Sequence, residues 1–380
     1  MNFDYNEEQQ LLADSVRRFV QKDYGFEARK RIVASRDGCS AQVWSTFAEM
    51  GLLGIPFPAE LGGFGGGAID LMSAMEAIGE ALVVEPFLAT VGLGAQLVAR
   101  GGSAAQKKAI LPAVIEGRMK MAFAQTERGA RYDLARVATS ARRAGEVWVL
   151  EGDKRMVLGA PLADKLVVSA RTSGKPADQQ GISLFLVDRE AAGVSLRPYV
   201  TLDETRAADV VLQAVEVGAD ALIGKEGEAL ALIEEVVDYA TALLCAEALG
   251  AMKYANDATL EYLKTRKQFG VPIGTFQALQ HRMVDMVIAA EQARSMACLA
   301  CAKVDGETDA RERKRLVSAA KVRIADACRH VSQESIQLHG GMGMTEEMKV
   351  SHTFRRLTMI GQQFGDAEHH LERFAALERG

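Results

Sequence analysis

The 380-residue chain has few cysteines, and its five, Cys39, Cys245, Cys298, Cys301 and Cys328, are an odd number scattered along its length. That is not the pattern of a disulfide framework and fits a reducing compartment. Nor is there an excess of positive charge: 45 Lys plus Arg stand against 50 Asp plus Glu, a formal net charge of −5, so no nucleic-acid partner is expected. The opening MNFDYNEEQQ is acidic and polar, unlike a secretory signal or an Arg-rich transit peptide. The longest mostly apolar stretch, Pro86–Ala99, is interrupted by glycines and is shorter than the ~20 residues of a membrane span. A cytoplasmic protein without a membrane span is therefore expected. Cys298 and Cys301 form a lone CxxC in an Ala/Met-rich helical stretch with no second ligand pair, which reads as core cysteines rather than zinc.

Hydrophobic residues make up 48% and charged residues 25%, near the averages for globular proteins. The length suits two or three domains of about 150 residues, or one large one. Asn6 and Gln9 resemble a capping signal before a first helix, and helical spacing recurs over Ala41–Met50, Ile69–Leu82, Thr90–Ala99 and Ala104–Glu116. From Lys120 the pattern changes to short Val/Leu/Phe runs, KMAFAQ, EVWVLEG, KLVVSA, ISLFLV and ADVVLQAVEV, an all-β insert. After Gly224 long helical segments return at Glu228–Gln268, Phe276–Asp305, Glu312–Leu338 and Thr345–Arg379. GFGGGA at Gly63–Ala68 matches a dinucleotide fingerprint formally, but no strand leads into it and no βαβ alternation surrounds it. The basic run Arg311–Arg315 reads as a solvated surface. His339, His352, His369 and His370 lack the spacing of a metal site.

Two segments, YLKTRKQFGVPIGTFQALQHRMVDM at Tyr262–Met286 and QLHGGMGM at Gln337–Met344, resemble motifs of the acyl-CoA dehydrogenase family. FAQTERGARYDLA at Phe123–Ala135 resembles in part that family's T-E-P-x-x-G-S-D stretch. The likeness covers essentially the whole chain and is nearest to small subunits of pimeloyl-CoA-type enzymes and to the paired-subunit dehydrogenases of sterol side chains. It implies an α+β fold with an N-terminal helical domain (1–118), a middle β-barrel-like domain (119–223) and a C-terminal four-helix bundle (224–380). It also implies FAD, an acyl-CoA substrate, an electron-transfer flavoprotein as partner, and a homodimer, a homotetramer or a heterotetramer with a large subunit.

Desaturating an acyl thioester needs a carboxylate to take the α-proton, an acceptor for the β-hydride and donors on the thioester oxygen. By resemblance, Arg266 meets the FAD diphosphate of a neighbouring subunit, with Phe269 by the adenine and Gln277 nearby, and Gln337, Gly340 and Gly341 lie along the same region. Phe123, Gln125 and Thr126 occupy positions that meet the isoalloxazine ring. The chain also departs from the family. Met156 and Leu158 stand where relatives have Trp and Thr, Arg131 and Tyr132 replace Gly and Ser, and Phe364 and Ala240 fill the two usual places of the base. Ile233, Val237, Ala240, Leu244 and Glu247 fall on one helical stripe, which makes Glu247 the candidate base. It lies about two turns, roughly 10 Å, beyond Ala240. The alternative for Glu247 is a buried ion pair with Arg266 or Lys253. At the level of the whole chain, a catalytic dehydrogenase and a non-catalytic subunit completing a partner's FAD site are both open.

Overall fold

The computed structural model describes residues 7–379, without the side chains of Glu8 and Gln9, so the capping signal at Asn6 and Gln9 lies outside the described residues. The first third is helical: α1 (Glu7–Asp23), α2 (Phe26–Ala34), α3 (Ala41–Glu49), α4 (Ala68–Ala81), α5 (Ala95–Gly101) and α6 (Ala104–Ile115). The sequence reading overlooked α2, because FEARKRIVA interleaves charge with its apolar positions. One of those charges, Arg29, is buried and donates to Leu82 O at 2.7 Å, just past the end of α4. The helix expected from Thr90 starts earlier, as a π-helical stretch over Leu88–Gly94 that runs into α5. A capping box between Ser103 and Gln106 starts α6.

GFGGGA ends at the N-terminus of α4, where the Ala68 and Ile69 N–H groups donate to the Asp305 carboxylate at 2.9 and 3.0 Å. A Cβ on Gly67 would fall 2.2 Å from that carboxylate. The helix end that a dinucleotide would need is thus already capped by an acid from this chain.

The β segment forms one mixed sheet of β1 (Met121–Ala124), β2 (Ser140–Ala144), β3 (Val147–Leu158), β4 (Lys165–Arg171), β5 (Ile182–Asp188), β6 (Val194–Val200), β7 (Arg206–Gly218) and β8 (Leu222–Ile223). The strand order is β6-β7-β3-β2-β4-β5-β8, with β1 parallel to β4. All eight strands feed one core built around Trp148, Leu150, Leu166, Phe185 and Val210, as in a barrel-like domain. Polar β2 and the edge strand β6, with Pro198 and mostly exposed side chains, carry no clear alternation and were not legible as strands.

The remainder is α7 (Leu230–Thr265), the hairpin β9 (Lys267–Gln268) and β10 (Val271–Pro272), α8 (Gln277–Gly306), α9 (Ala310–His339), α10 (Lys349–Gln362) and α11 (Ala367–Arg379). The long last helix expected over Thr345–Arg379 is therefore two. The break follows α10, with Phe364 at φ +61° and Gly365 at φ +128°. Buried Lys321 of α9 donates to Ile360 O, Gly361 O and Gly365 O at 2.9, 3.2 and 2.8 Å, satisfying carbonyls that the end of α10 leaves open. The helices α8, α10 and α11 all pack on α9. The basic run is not simply solvated: Arg311 donates to Leu377 O at 2.7 Å, and Arg315 pairs with Glu312 and Glu378. Cys298 and Cys301 are buried in α8, and burial pushes both thiols up.

By contact density the chain divides into two units. One takes the chain up to Arg31, Gly67–Val83 and everything from Thr241 on; the other takes Ile32–Gly66 and Val84–Ala240. Among the described residues no helix is long and apolar enough to cross a membrane.

Candidate functional site

In the unit that contains the sheet, strand alternation sends Ala122 and Ala124 of β1 into the sheet core and leaves Phe123 and Gln125 on the opposite face. Both are buried. The Gln125 amide donates to Leu134 O at 2.8 Å, while its oxygen is buried without a partner among the described residues. Thr126 is half-buried, and its carbonyl accepts the Arg155 N–H at 2.7 Å.

The next residue, Glu127, accepts from Lys154 Nζ at 2.7 Å, from Ala138 N–H at 2.7 Å and from Thr139 N–H at 3.0 Å. Lys154 also donates to Ser169 Oγ and Gln125 O. Burial alone would push the Glu127 carboxyl up, but the Lys154 charge and these hydrogen bonds hold it below its ordinary value. Burial pushes fully buried Lys154 down to about 8, against the opposing pull of Glu127. Two residues on, Met156 sits in a bulge of β3 at φ +49°, 46% exposed, its N–H on Asp209 at 3.2 Å.

In the other unit the two long motifs come together. Tyr262, near the end of α7, stacks on His339 at the end of α9, ring centroids 4.5 Å apart. Arg282 of α8 pairs with Glu334 of α9. Buried His339 donates from Nδ1 to Ser335 O at 2.8 Å, and burial holds its pKa below the ordinary value. Tyr262 was not singled out by sequence reasoning, and His339 entered it only as one of four histidines without metal-site spacing, although each lies inside a motif.

Beyond this stack the chain presents its candidate nucleotide-binding residues to solvent. Phe269 and Gly270, at φ +54° and +81°, form the two-residue turn between β9 and β10, as a right-twisted hairpin requires. The turn leaves Phe269 91% exposed. Arg266, Gln277 and Gln337 are exposed, and none has a side-chain hydrogen bond or ion pair among the described residues. Among the described residues, chain neighbours aside, nothing lies within 4 Å of where a Cβ would stand on Gly340 or Gly341. A free guanidinium fork, an exposed ring, two amides and two open glycines suit a dinucleotide tail.

Glu247 is different. From Val236 to Met252 every residue of α7 is buried, so the apolar stripe does not by itself distinguish one side of the helix. Its carboxylate is held on both oxygens by Arg356 of α10, Nε at 2.6 Å and a terminal nitrogen at 2.8 Å. The ion-pair partner is thus Arg356, not Arg266 or Lys253. Arg266 is exposed, and Lys253 pairs with Asp257 and Glu80. Phe364 is half-buried at the α10–α11 break and Ala240 is fully buried.

The chain matches the acyl-CoA dehydrogenase N-terminal domain over residues 6–118, the middle domain over 122–215 and the C-terminal domain over 229–376. It is 30% identical to the probable acyl-CoA dehydrogenase YngJ of Bacillus subtilis, covering 95% of this chain and 96% of that one. Among solved structures it is similar to a variant of a steroid ACAD described as Tcur3481-Tcur3483, with TM-score 0.87, 30% identity and 98% of each chain covered. The FAD complex of PigA superposes with TM-score 0.91 at 25% identity, covering 99% of this chain and 98% of that one. The chain belongs to the acyl-CoA dehydrogenase family, whose members are oxidoreductases acting on CH–CH groups.

Proposed function

We propose that this chain acts, in the cytoplasm, in FAD-dependent α,β-dehydrogenation of an acyl-CoA thioester, with electrons passed to an electron-transfer flavoprotein. In this reading 1–118, 119–223 and 224–380 are the functional domains, and the assembly is a homodimer, a homotetramer or a heterotetramer with a large subunit. The observation that carries it is the Tyr262–His339 stack, which joins the end of α7, followed by Arg266 and Phe269, to the end of α9, with Gln337, Gly340 and Gly341; the side chains of Arg266, Gln277 and Gln337 have no hydrogen bond or ion pair among the described residues. Arg266 takes the diphosphate, Phe269 covers the adenine, and Gly340 and Gly341 let the backbone approach. Phe123, Gln125 and Thr126 serve the isoalloxazine. When bound, FAD supplies the acceptor for the β-hydride. Glu247 is the residue of this chain for the α-proton.

A second reading is favoured by the Arg356 clamp. A general base needs a free oxygen on the substrate side, and both Glu247 oxygens are engaged. In this reading the chain completes a partner's FAD site and its own carboxylate is structural, as an assembly of two proteins like the ChsE4-ChsE5 complex from Mycobacterium tuberculosis would allow. Purified alone and co-expressed with a large-subunit partner, the chain is expected to take up flavin, read from its visible spectrum. The acyl-CoA-dependent bleaching of that flavin is then compared between native protein and Glu247→Gln. Loss of bleaching supports the base; unchanged bleaching with flavin taken up only beside a partner supports the second reading. No flavin in any assembly defeats both.

A further inference from the structure

Lys154 of β3 is fully buried, and its ammonium donates to the Glu127 carboxylate at 2.7 Å, to Ser169 Oγ of β4 at 2.9 Å and to the Gln125 carbonyl at 3.3 Å. An ammonium has three protons, so the set is complete. The contact with Gln125 reaches beyond the ion pair, because that carbonyl belongs to the backbone leaving β1 toward Thr126. The next residue of β3, Arg155, donates its N–H to the Thr126 carbonyl at 2.7 Å. Residues 154 and 155 thereby fix the peptide planes on both sides of Thr126.

The Gln125–Thr126 peptide is trans, with its C=O and N–H on opposite sides of one plane. Drawing the Gln125 carbonyl onto Lys154 therefore points the Thr126 N–H the other way. Among the described residues that N–H and the Thr126 hydroxyl have no hydrogen-bond partner, and Gln125 Oε1 is buried without one. Backbone donors and buried amides are nearly always paired. A free donor beside a free acceptor, on a backbone held from behind, is a preorganised place for a flat group that carries both functions, as the edge of an isoalloxazine does.

We propose that Lys154 is a positioning residue for the cofactor: by drawing in the Gln125 carbonyl it turns the Thr126 N–H outward as a hydrogen-bond donor to the isoalloxazine. The proposal rests on the reading of this chain as an FAD-using dehydrogenase, and Lys154 itself touches no ligand. Its electrostatic surroundings are simple. Glu127 supplies the counter-charge, Arg171 of β4 shares the field of Glu127, and β7 presents apolar Val210 opposite Lys154. On its own strand Asp153 is exposed and Arg155 pairs with Asp209. Burial pushes the ammonium down to about 8, so its hold on the carbonyl weakens as pH rises through that value.

The test is titration of the full chain with FAD, in the assembly that takes up flavin, followed by visible absorption on both sides of about pH 8. Native protein is compared with Lys154→Met and with Glu127→Gln/Lys154→Met. The double variant leaves no buried lone charge, so its melting temperature at neutral pH is expected to stay near the native one. Its FAD affinity is nevertheless expected to fall about tenfold, as loss of a charge-assisted hydrogen bond does, and the absorption bands of its bound flavin are expected to shift. Native affinity is expected to fall as pH rises through about 8, and that of the double variant to stay level there. A double variant that binds FAD as native protein does, with unshifted bands, overturns the proposal. Recovery of flavin in the double variant after its loss in Lys154→Met also overturns it, because Lys154 is then structural only. If the double variant does not fold, the native pH series decides alone, and a level affinity across pH 8 overturns the proposal. If native protein takes up no FAD in any assembly, the dehydrogenase reading fails and the proposal with it, whereas normal flavin uptake by every variant defeats only the role of Lys154.

Discussion

Glu127 and Lys154 lie directly beneath the strand end that carries Gln125 and Thr126, with Lys154 fully buried. Breaking such a pair by removing one partner costs about 3–5 kcal/mol, because the survivor is a buried lone charge. The pH dependence follows from the two shifts. Glu127 titrates in the fold below its ordinary 4.5, so the unfolded chain takes up its proton first; the stability it contributes is complete above about pH 4.5 and is lost as pH falls through the folded value. Lys154, pushed from 10.5 to about 8, does the reverse: between about pH 8 and 10.5 the unfolded chain holds a proton the fold has released, so stability rises with pH there. Melting curves from pH 3 to 10 are expected to show both slopes in native protein and neither in the Glu127→Gln/Lys154→Met double variant, with Glu127→Gln alone the least stable at neutral pH. Parallel curves for native and double variant would show that other groups set the profile. Removing one partner of the Glu247–Arg356 pair would likewise leave a buried lone charge, so this clamp has a structural purpose.

Among the helices, α4 and α7 approach each other closely. A Cβ on Gly79 would fall 1.9 Å from Glu247 O, and one on Gly250 would fall 1.7 Å from Glu76 O. The two backbones touch, and only glycine fits. On either side of the crossing stand buried carboxylates, each gripped by an arginine from another helix: Glu76 by Arg294 of α8 at 2.9 and 3.1 Å, and Glu247 by Arg356 of α10. Gly79→Ala is therefore expected to push α4 and α7 apart, to cost about 3 kcal/mol by overpacking and to disturb the Glu247 clamp, measured by urea denaturation. An effect within about 0.5 kcal/mol would mean that the helices separate freely. The helical period made α4 and α7 visible in the sequence. Nothing local marked Gly79 and Gly250 as partners 171 positions apart, because a close approach is a property of two elements at once.

For the molecule as a whole, α8 bears an outward apolar stripe: Val284, Val287 and Ile288 are 54%, 42% and 48% exposed, while Met283 and Met286 on its other side are buried. Together with exposed Phe269 in the preceding hairpin, this is apolar surface that a monomer gains nothing by showing to water. In the proposed assembly a second chain covers it. Val284→Lys/Val287→Lys is expected to lower the mass seen by light scattering and the flavin content together, without lowering the helical signal. Unchanged mass would place the subunit contact elsewhere.

Hydrophobic period and turn residues alone determined the succession of helices, strands and helices, and the two long motifs announced the family, since those signals are local and survive in linear order. The sequence also marked Glu247 as a carboxylate among apolar neighbours. Only tertiary structure decided that its partner is Arg356, that Tyr262 and His339 join the two motifs, that Asp305 caps the glycine-rich turn, and that the last helix breaks over Lys321. Each of these depends on side chains far apart in the chain meeting in a low-dielectric interior, where a charge or a carbonyl must find whichever partner the packing brings to it.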